Sequence, residues 1–297
     1  MDWLKRMNGA INYIEDNLTG SIDYNEAAKI AYCSKYHFQR MFSYITDVPL
    51  SEYIRRRRLT LAAFDLQDSD LKVIEIALKY GYESPEAFTR AFQKLHGVTP
   101  SRARHVGSKL KAYPRMSFHI SIKGDVEMNY RIEQTNDLEI FGKDIVLKPD
   151  DSPFIILPQF GDEIWENGTH DRINDIAGNI RGTSLYGVHF DFKDDGSRRY
   201  MFGWNKPDRE IPDEFISLMI PKTTWAVFEG RGSMPDGLAI QDIWKRIYSE
   251  WFPTSGYEQT VGPCIEKYYW ADRNQEDYIC EVWIPVVKKT DLLSSII

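Results

Sequence analysis

The chain has 297 residues, 42% of them hydrophobic and 13% aromatic, which suits two domains with full cores and excludes a disordered chain. Its three scattered cysteines (Cys33, Cys264, Cys280) exclude a disulfide framework or a paired-cysteine metal site. No apolar run approaches the roughly 18 residues of a membrane span, and the N-terminus lacks a signal-peptide pattern, so a cytoplasmic protein with no membrane partner is expected. The net charge of −7 conceals an asymmetry: residues 1–115 hold 18 Lys+Arg against 13 Asp+Glu, and the remainder holds 19 against 31. Seven of the eight tryptophans lie beyond position 124. Two domains with different partners are implied.

From Trp3 to Leu18, apolar residues recur at helical spacing, and Thr19-Gly20 ends the run. A short helix is expected at about Tyr24–Ala31, then one at Lys35–Ile45 capped by Ser34. Pro49 opens a longer helix to about Leu66, with Tyr53, Ile54, Leu61 and Phe64 facing inward. The pattern then repeats as a helix Val73–Tyr80, a turn at Gly81, and a capped helix from Ser84-Pro85-Glu86 to about His96. Pro100 starts a last turn.

Two helix-turn-helix units about 50 residues apart are therefore joined by one helix. Lys35–Phe42 and Pro85–Phe92 share Phe, x, Arg, x, Phe in register, so each unit shows the same faces. The positions left polar are Lys35, Tyr36, His37, Gln39 and Arg40 in the first, and Glu86, Thr89 and Arg90 in the second. Arg suits guanine and Gln suits adenine in the major groove. A joining helix of about 16 residues spans roughly 24 Å, which sets two recognition helices about one DNA turn apart. Arg55-Arg56-Arg57-Arg58 lies on that helix. Four consecutive residues span a full turn, so one or two, Arg55 first, are expected to reach phosphate, with the rest solvated or paired.

Gly81-Tyr82-Glu83-Ser84-Pro85-Glu86-Ala87-Phe88-Thr89-Arg90 through Gly97-Val98-Thr99-Pro100 resembles the signature of the AraC/XylS transcription regulators. Ser34–Phe42 resembles the first recognition helix of their Rob/MarA-like branch. The likeness implies that Tyr36, Gln39 and Arg40 supply the main base contacts. The branch often has Trp where Tyr36 stands and a polar residue at Pro85 and Ala87, which implies fewer base contacts from the second helix.

Residues 109–126 read as a linker with a short strand at Ser117–Ile122. Strands follow at Met128–Gln134 and Leu138–Leu147, helices at about Ile155–Glu166 and Asp171–Ala177, and strands at Leu185–Phe192 and Arg199–Trp204 around the turn Asp194-Asp195-Gly196. A second round reads as strand Thr223–Glu229, helix Ala239–Trp251 and a hairpin of Cys264–Trp270 with Tyr278–Val287. So 128–204 and 215–288 each read as strand, helix, strand, strand.

Strand parity then suggests a site. Cys280, Val282, Ile284 and Val286 share a core face, while Glu281 and Trp283 occupy the other. Glu266, Tyr268 and Trp270 share a face, as do Tyr186, Val188 and Phe190, and Tyr200, Phe202 and Trp204. Aromatics with carboxylates suit a flat, lipophilic, cationic compound: rings bury it and attract its charge, and a carboxylate neutralises it. The candidate set is Tyr186, Phe190, Trp204, Glu266, Tyr268, Glu281 and Trp283, with either glutamate as its centre. Gly262–Tyr268 followed by Cys280–Val286 resembles the end of the GyrI-like (Rob-like) small-molecule-binding domain, which implies a duplicated βαββ unit with a ligand groove lined by a Glu and aromatics.

No HExxH, P-loop, GxSxG or GxGxxG occurs, and the six histidines lack ligand spacing, so no catalytic residue, metal or cofactor is expected. The fold class expected is multidomain α and α+β: an all-α double helix-turn-helix at 1–108, a linker at 109–126, a duplicated βαββ domain at 127–288 and a tail at 289–297. The function expected is a sequence-specific transcription regulator whose C-terminal domain senses a small hydrophobic or cationic effector. A hydrolase of hydrophobic electrophiles, with Glu266 and Glu281 as acid and base, and a protein-interaction module are the alternatives. Double-stranded DNA and RNA polymerase are expected partners. One chain carries both recognition helices, so a monomer suffices.

Overall fold

The computed structural model describes residues 3–105, 107–119, 127–149, 151–178, 185–193, 196–232, 238–269 and 278–294. The chain divides into two compact units, Met1–Phe42 with Val48–Ser121, and Ser43–Asp47 with Ile122–Ile297. No helix among the described residues is long and apolar enough to cross a membrane.

The N-terminal part forms α1 (Trp3–Asp16), α2 (Tyr24–Ile30), α3 (Lys35–Thr46), α4 (Leu50–Asp68), α5 (Val73–Lys79), α6 (Pro85–His96) and α7 (Pro100–Ala103). The caps stand where the sequence signals them. Asp23 accepts from the Asn25 N–H at the start of α2, and Ser84 accepts from the Ala87 N–H with Pro85 opening α6. The pairs α2–α3 and α5–α6 are joined by α4, whose 19 residues exceed the expected length and span about 28 Å. Leu59, Ala63, Leu66, Ile76, Phe88 and Phe92 form the core of the second pair. Phe64, expected inward, is 48% exposed, because the stripe of α4 that packs runs through Ala62, Ala63 and Leu66 instead.

The four arginines of α4 meet four environments. Arg55 and Arg56 both bond Glu52, at 2.7 and 2.5 Å, and remain about one-third exposed. Arg57 is buried against Glu15 at 2.8 Å and donates to the Tyr113 carbonyl, while Tyr53 donates to the same Glu15. Arg58 donates to the carbonyls of Leu18 and Gly20, closing the end of α1. Residues 109–118 run along the first unit with their backbone groups satisfied by its side chains. The N–H groups of Tyr113, Met116 and Phe118 donate to Thr60 Oγ1, Tyr53 Oη and Asn8 Oδ1. Ser117–His119 form no strand, and the rest of the strand expected there lies outside the described residues.

His96 fastens this segment to the core. Its Nε2 lies 3.2 Å from the Leu59 carbonyl, and its Nδ1 accepts from the Lys111 N–H, a pairing that needs a neutral ring. Burial, and then the nearby Lys111, hold its pKa below the usual value despite the Leu59 contact. A depressed folded pKa means that His96 supports the fold fully above about pH 6.5 and loses that support as pH falls through its folded value. Thermal unfolding of the full chain should therefore show a midpoint that drops from pH 7 to 5, more steeply in wild type than in His96→Gln. Equal slopes would remove His96 from that role.

The second unit contains β1 (Tyr130–Thr135), β2 (Leu138–Leu147), α8 (Pro153–Glu166), α9 (Thr169–Ala177), β3 (Leu185–Phe190), β4 (Arg198–Asn205), β5 (Ile216–Ile220), β6 (Thr223–Arg231), α10 (Leu238–Arg246), β7 (Tyr257–Gln259), β8 (Cys264–Tyr268) and β9 (Ile279–Lys288). Strands β5 and β7 add to those expected, and the helix expected to reach Trp251 passes into a π turn at Ile247–Trp251. Asp194, Asp195 and Trp270 lie outside the described residues.

All pairings are antiparallel, in the order β1-β6-β9-β8-β3-β4-β2-β5 with β7 beside β9. Matching β1 with β5, β6 with β2, β9 with β4 and β8 with β3, the order reads alike from either end. Two-residue links join β1 to β2 and β5 to β6, yet each pair stands six strand spacings apart along the sheet. Six spacings would be about 29 Å in a flat sheet, whereas such a link reaches only about 11 Å. The sheet must therefore roll until its ends meet. Its inner face is a core of Ile140, Val188, Met201, Ile220, Trp225, Val227 and Ile265. Gly142 and Gly203 face each other across β2 and β4, where a Cβ on either would lie 2.0 or 2.3 Å from the opposing strand's carbonyl oxygen. The outer face is covered by helices: α8 on Leu147 and Tyr200, α9 on Phe141 and Trp204, and α10 on Gly230 and Cys280.

Candidate functional site

The first helical pair places its polar residues on α3. Ser34 Oγ caps the helix by accepting from the His37 N–H at 3.2 Å. Lys35, Tyr36, His37 and Gln39 are half-buried, whereas Arg40 is only 2% exposed. Its guanidinium lies over the Tyr36 ring at 5.4 Å, with Nη1 3.4 Å from the hydroxyl. Burial, followed by the positive charge of Arg40, pushes the His37 imidazole down to about 3. The expectation that Arg40 stands open to a base edge is thus not met here. On α6, Glu86 and Arg90 are exposed and Thr89 is half-buried. Gln93 is exposed on the same face at i+7 from Glu86 and was missed, although the spacing alone marks it. Of the arginine run, Arg55 and Arg56 keep partly open guanidinium groups.

The candidate ligand residues do not form one cluster. In the β8–β9 register Glu266 is opposite Val282, whereas Glu281 is opposite Lys267. Directly opposed residues share a face, so the two glutamates stand on opposite faces of the sheet. Tyr186, Phe190 and Trp283 fall on the inner face with Glu281. There Glu281 accepts from Arg131 and from the Trp283 indole, both at 2.8 Å. Burial opposes its charge, but the Arg131 bond and that indole hold its pKa below the usual range. Trp204 is on the outer face, yet it packs beneath α9 with Phe141, Ile173 and Phe215.

Glu266 and Tyr268 line a cleft on the outer face that opens to solvent and has a cavity volume of about 180 Å³. Tyr200, Phe202 and Leu185 complete its floor, Ile240, Gln241 and Trp244 of α10 form one wall, and α8 forms the other. The α8 wall is a regular stripe: Phe154, Leu157, Pro158, Gly161, Asp162 and Trp165 recur at i, i+3, i+4, i+7, i+8 and i+11. Trp165 is 42% exposed at the rim and stacks on the buried His170 at 3.6 Å.

Glu266 is 4% exposed and is held by several side-chain donors. Tyr200 and Tyr268 donate to Oε2, each at 2.8 Å, and Trp244 donates to Oε1 at 2.7 Å. His189 Nε2 lies 3.5 Å from Oε1. Burial alone would raise the carboxyl's pKa, but His189, Trp244 and Tyr268 more than offset it, so the group stays ionised below the usual carboxylate range. Burial and the Glu266 charge raise both tyrosines far above their usual value, which keeps them protonated as donors. Gly187, opposite Glu266, has no room for a side chain, since a Cβ would lie 2.1 Å from Tyr200 Oη. The result is a buried, ionised carboxylate at the bottom of an aromatic cleft, held by Tyr200, Tyr268 and Trp244 with His189 beside it. Tyr200, Phe202 and Trp244 were absent from the expected set, although strand alternation at Tyr200 and Phe202 was visible. Among the described residues no group of three His, Cys, Asp or Glu is placed to hold a metal.

Residues 128–287 match the family model of the GyrI-like small molecule binding domain, and residues 27–105 match that of a helix-turn-helix domain. The chain is similar to the transcriptional activator AarP of Providencia stuartii, with 44% identity over 92 residues, covering 31% of this chain and 68% of that protein. It is similar to the regulatory protein SoxS of Escherichia coli K12, with 35% identity over 105 residues, covering 35% of this chain and 98% of that protein. Among solved structures it is similar to SAV2435 bound to tetraphenylphosphonium, at a TM-score of 0.48 and 19% identity, over 54% of this chain and 94% of that one.

Proposed function

Since the chain belongs to the AraC family of transcription regulators and carries a GyrI-like small molecule binding domain, we propose that its effector is a flat hydrophobic cation seated on Glu266. The chain is a DNA-binding regulator that senses a small molecule, and the buried carboxylate supports the charge of that molecule. An ionised, buried carboxylate at the floor of a cleft walled by rings offers negative charge where water is scarce. A lipophilic cation meets both demands at once. In water the same cation gains little from a carboxylate, so burial makes the interaction selective.

On the DNA side, the exposed α6 face of Glu86, Thr89 and Arg90 supports base reading. Tyr36 and Gln39 are assigned to the first groove, with Lys35 and His37 beside them, while Arg40, packed over Tyr36, would reach a base edge only by leaving that position. Arg55 and Arg56 suit phosphate, and each should contribute about one unit to the salt dependence of binding. The domain boundaries at 108 and 127, a monomeric state, contact with RNA polymerase and a cytoplasmic location belong to the same reading. Glu266 and Glu281 stand on opposite faces of the sheet, which speaks against the two acting as an acid–base pair on one substrate. The effector acts by preferring one state of the chain over another.

The test is thermal unfolding of the full chain with an aryl quaternary ammonium and its uncharged carbon isostere. At about 100 times its Kd the cation should add about 2.7 kcal/mol to stability, and the isostere much less. Equal shifts from both compounds would remove the carboxylate from recognition.

A further inference from the structure

The cleft holds a second carboxylate at its mouth. Asp162 is the one acidic side chain on the α8 stripe that faces the cleft, eight residues beyond Phe154 and next to the rim tryptophan Trp165. It is exposed, and it also borders the shallow outer depression lined by Glu163 and Glu166. Among the described residues no Lys or Arg pairs with Asp162, and α8 carries no basic residue in its last turn. Carboxylates near a helix C-terminus oppose the helix dipole, so this placement works against the helix itself. The feature departs from local preference where the chain meets a cleft, which is where function overrides stability.

Resting on the reading of Glu266 as a cation site, we propose that the cleft takes an elongated ligand with two positive ends. One end sits on Glu266 at the floor, the other on Asp162 at the mouth, and an apolar or aromatic middle lies along the α8 stripe. A monocation satisfies only the floor. A second cationic end neutralises a carboxylate that has no basic partner among the described residues, so Asp162 is the specificity residue that separates dications from monocations. Because Asp162 is exposed, its pairing is worth about fivefold in affinity and weakens with salt.

Isothermal titration of the full chain with two ligands on one biphenyl core, a mono- and a bis-trimethylammonium, tests this. After allowing twofold for its two equivalent ends, the bis-cation should bind wild type about five times more tightly. That ratio should fall close to one in Asp162→Asn and below one in Asp162→Lys, while circular dichroism reports an unchanged fold for these surface substitutions. A wild-type protein that binds both ligands equally, or a ratio unmoved by either variant, overturns the assignment of Asp162 and leaves the floor site standing. Failure of both ligands to bind wild type overturns the floor site as well.

Discussion

Glu266→Ala should abolish the response to a lipophilic cation and also weaken the second unit. The substitution leaves the hydroxyls of Tyr200 and Tyr268 and the indole N–H of Trp244 in the cleft wall without their acceptor. An orphaned buried donor costs about 1–3 kcal/mol, so a loss of about 3 kcal/mol is expected even if water re-enters to satisfy some of them. Glu266→Gln keeps the volume and one acceptor oxygen but turns an amide NH2 toward a donor, so it should cost less stability while still losing the charge. Urea unfolding reads the first effect, and titration with the cation reads the second. A Gln variant that binds the cation as tightly as wild type would sink the electrostatic account. The pH dependence has a definite sign. The folded pKa of Glu266 is depressed, so its support is complete above the ordinary carboxylate range and is lost as pH falls through the lower folded value.

Arg57→Met should cost the first unit about 3–5 kcal/mol, whereas Arg56→Ala, one residue away, should cost less than about 1 kcal/mol. Arg57 and Glu15 are both buried, and removing the guanidinium leaves a carboxylate out of water with the Tyr53 hydroxyl as its remaining donor among the described residues. The double variant Arg57→Met with Glu15→Leu should recover much of the loss, because no charge then remains buried. Denaturant unfolding of the three variants decides the matter. A single Arg57→Met variant as stable as wild type would show that the pair contributes nothing. DNA binding should rank the arginines the other way, with Arg55→Ala and Arg56→Ala lowering affinity through lost phosphate contacts.

The arginine run shows how far a sequence reaches. Four identical neighbours on one helix turn cannot share an environment, and that much follows from 3.6 residues per turn. Which one is buried depends on Glu15, 42 residues earlier, and on the Tyr113 carbonyl, 56 residues later. The double helix-turn-helix, by contrast, was legible almost to the residue. Its caps at Asp23 and Ser84 and its apolar periodicity are local, and local chemistry fixes helix ends.

The sequence by itself determined the two-part organisation, the opposed charges of its halves, the helices of the DNA-binding unit and most strands of the second unit. It also placed Glu266 with Tyr268 on one face of a strand, because side chains alternate strictly along β structure. Only the tertiary structure decided that Glu281 faces away from Glu266. Strands β8 and β9 are joined through ten intervening residues, too many for a turn type to set their register, and a shift of one residue exchanges the faces. The wall supplied by α8, the donors from Tyr200 and Trp244, and the rolled sheet that separates the two glutamates are all long-range pairings. They form because burying both faces of one curled sheet lowers the free energy, a condition no short stretch of sequence can express.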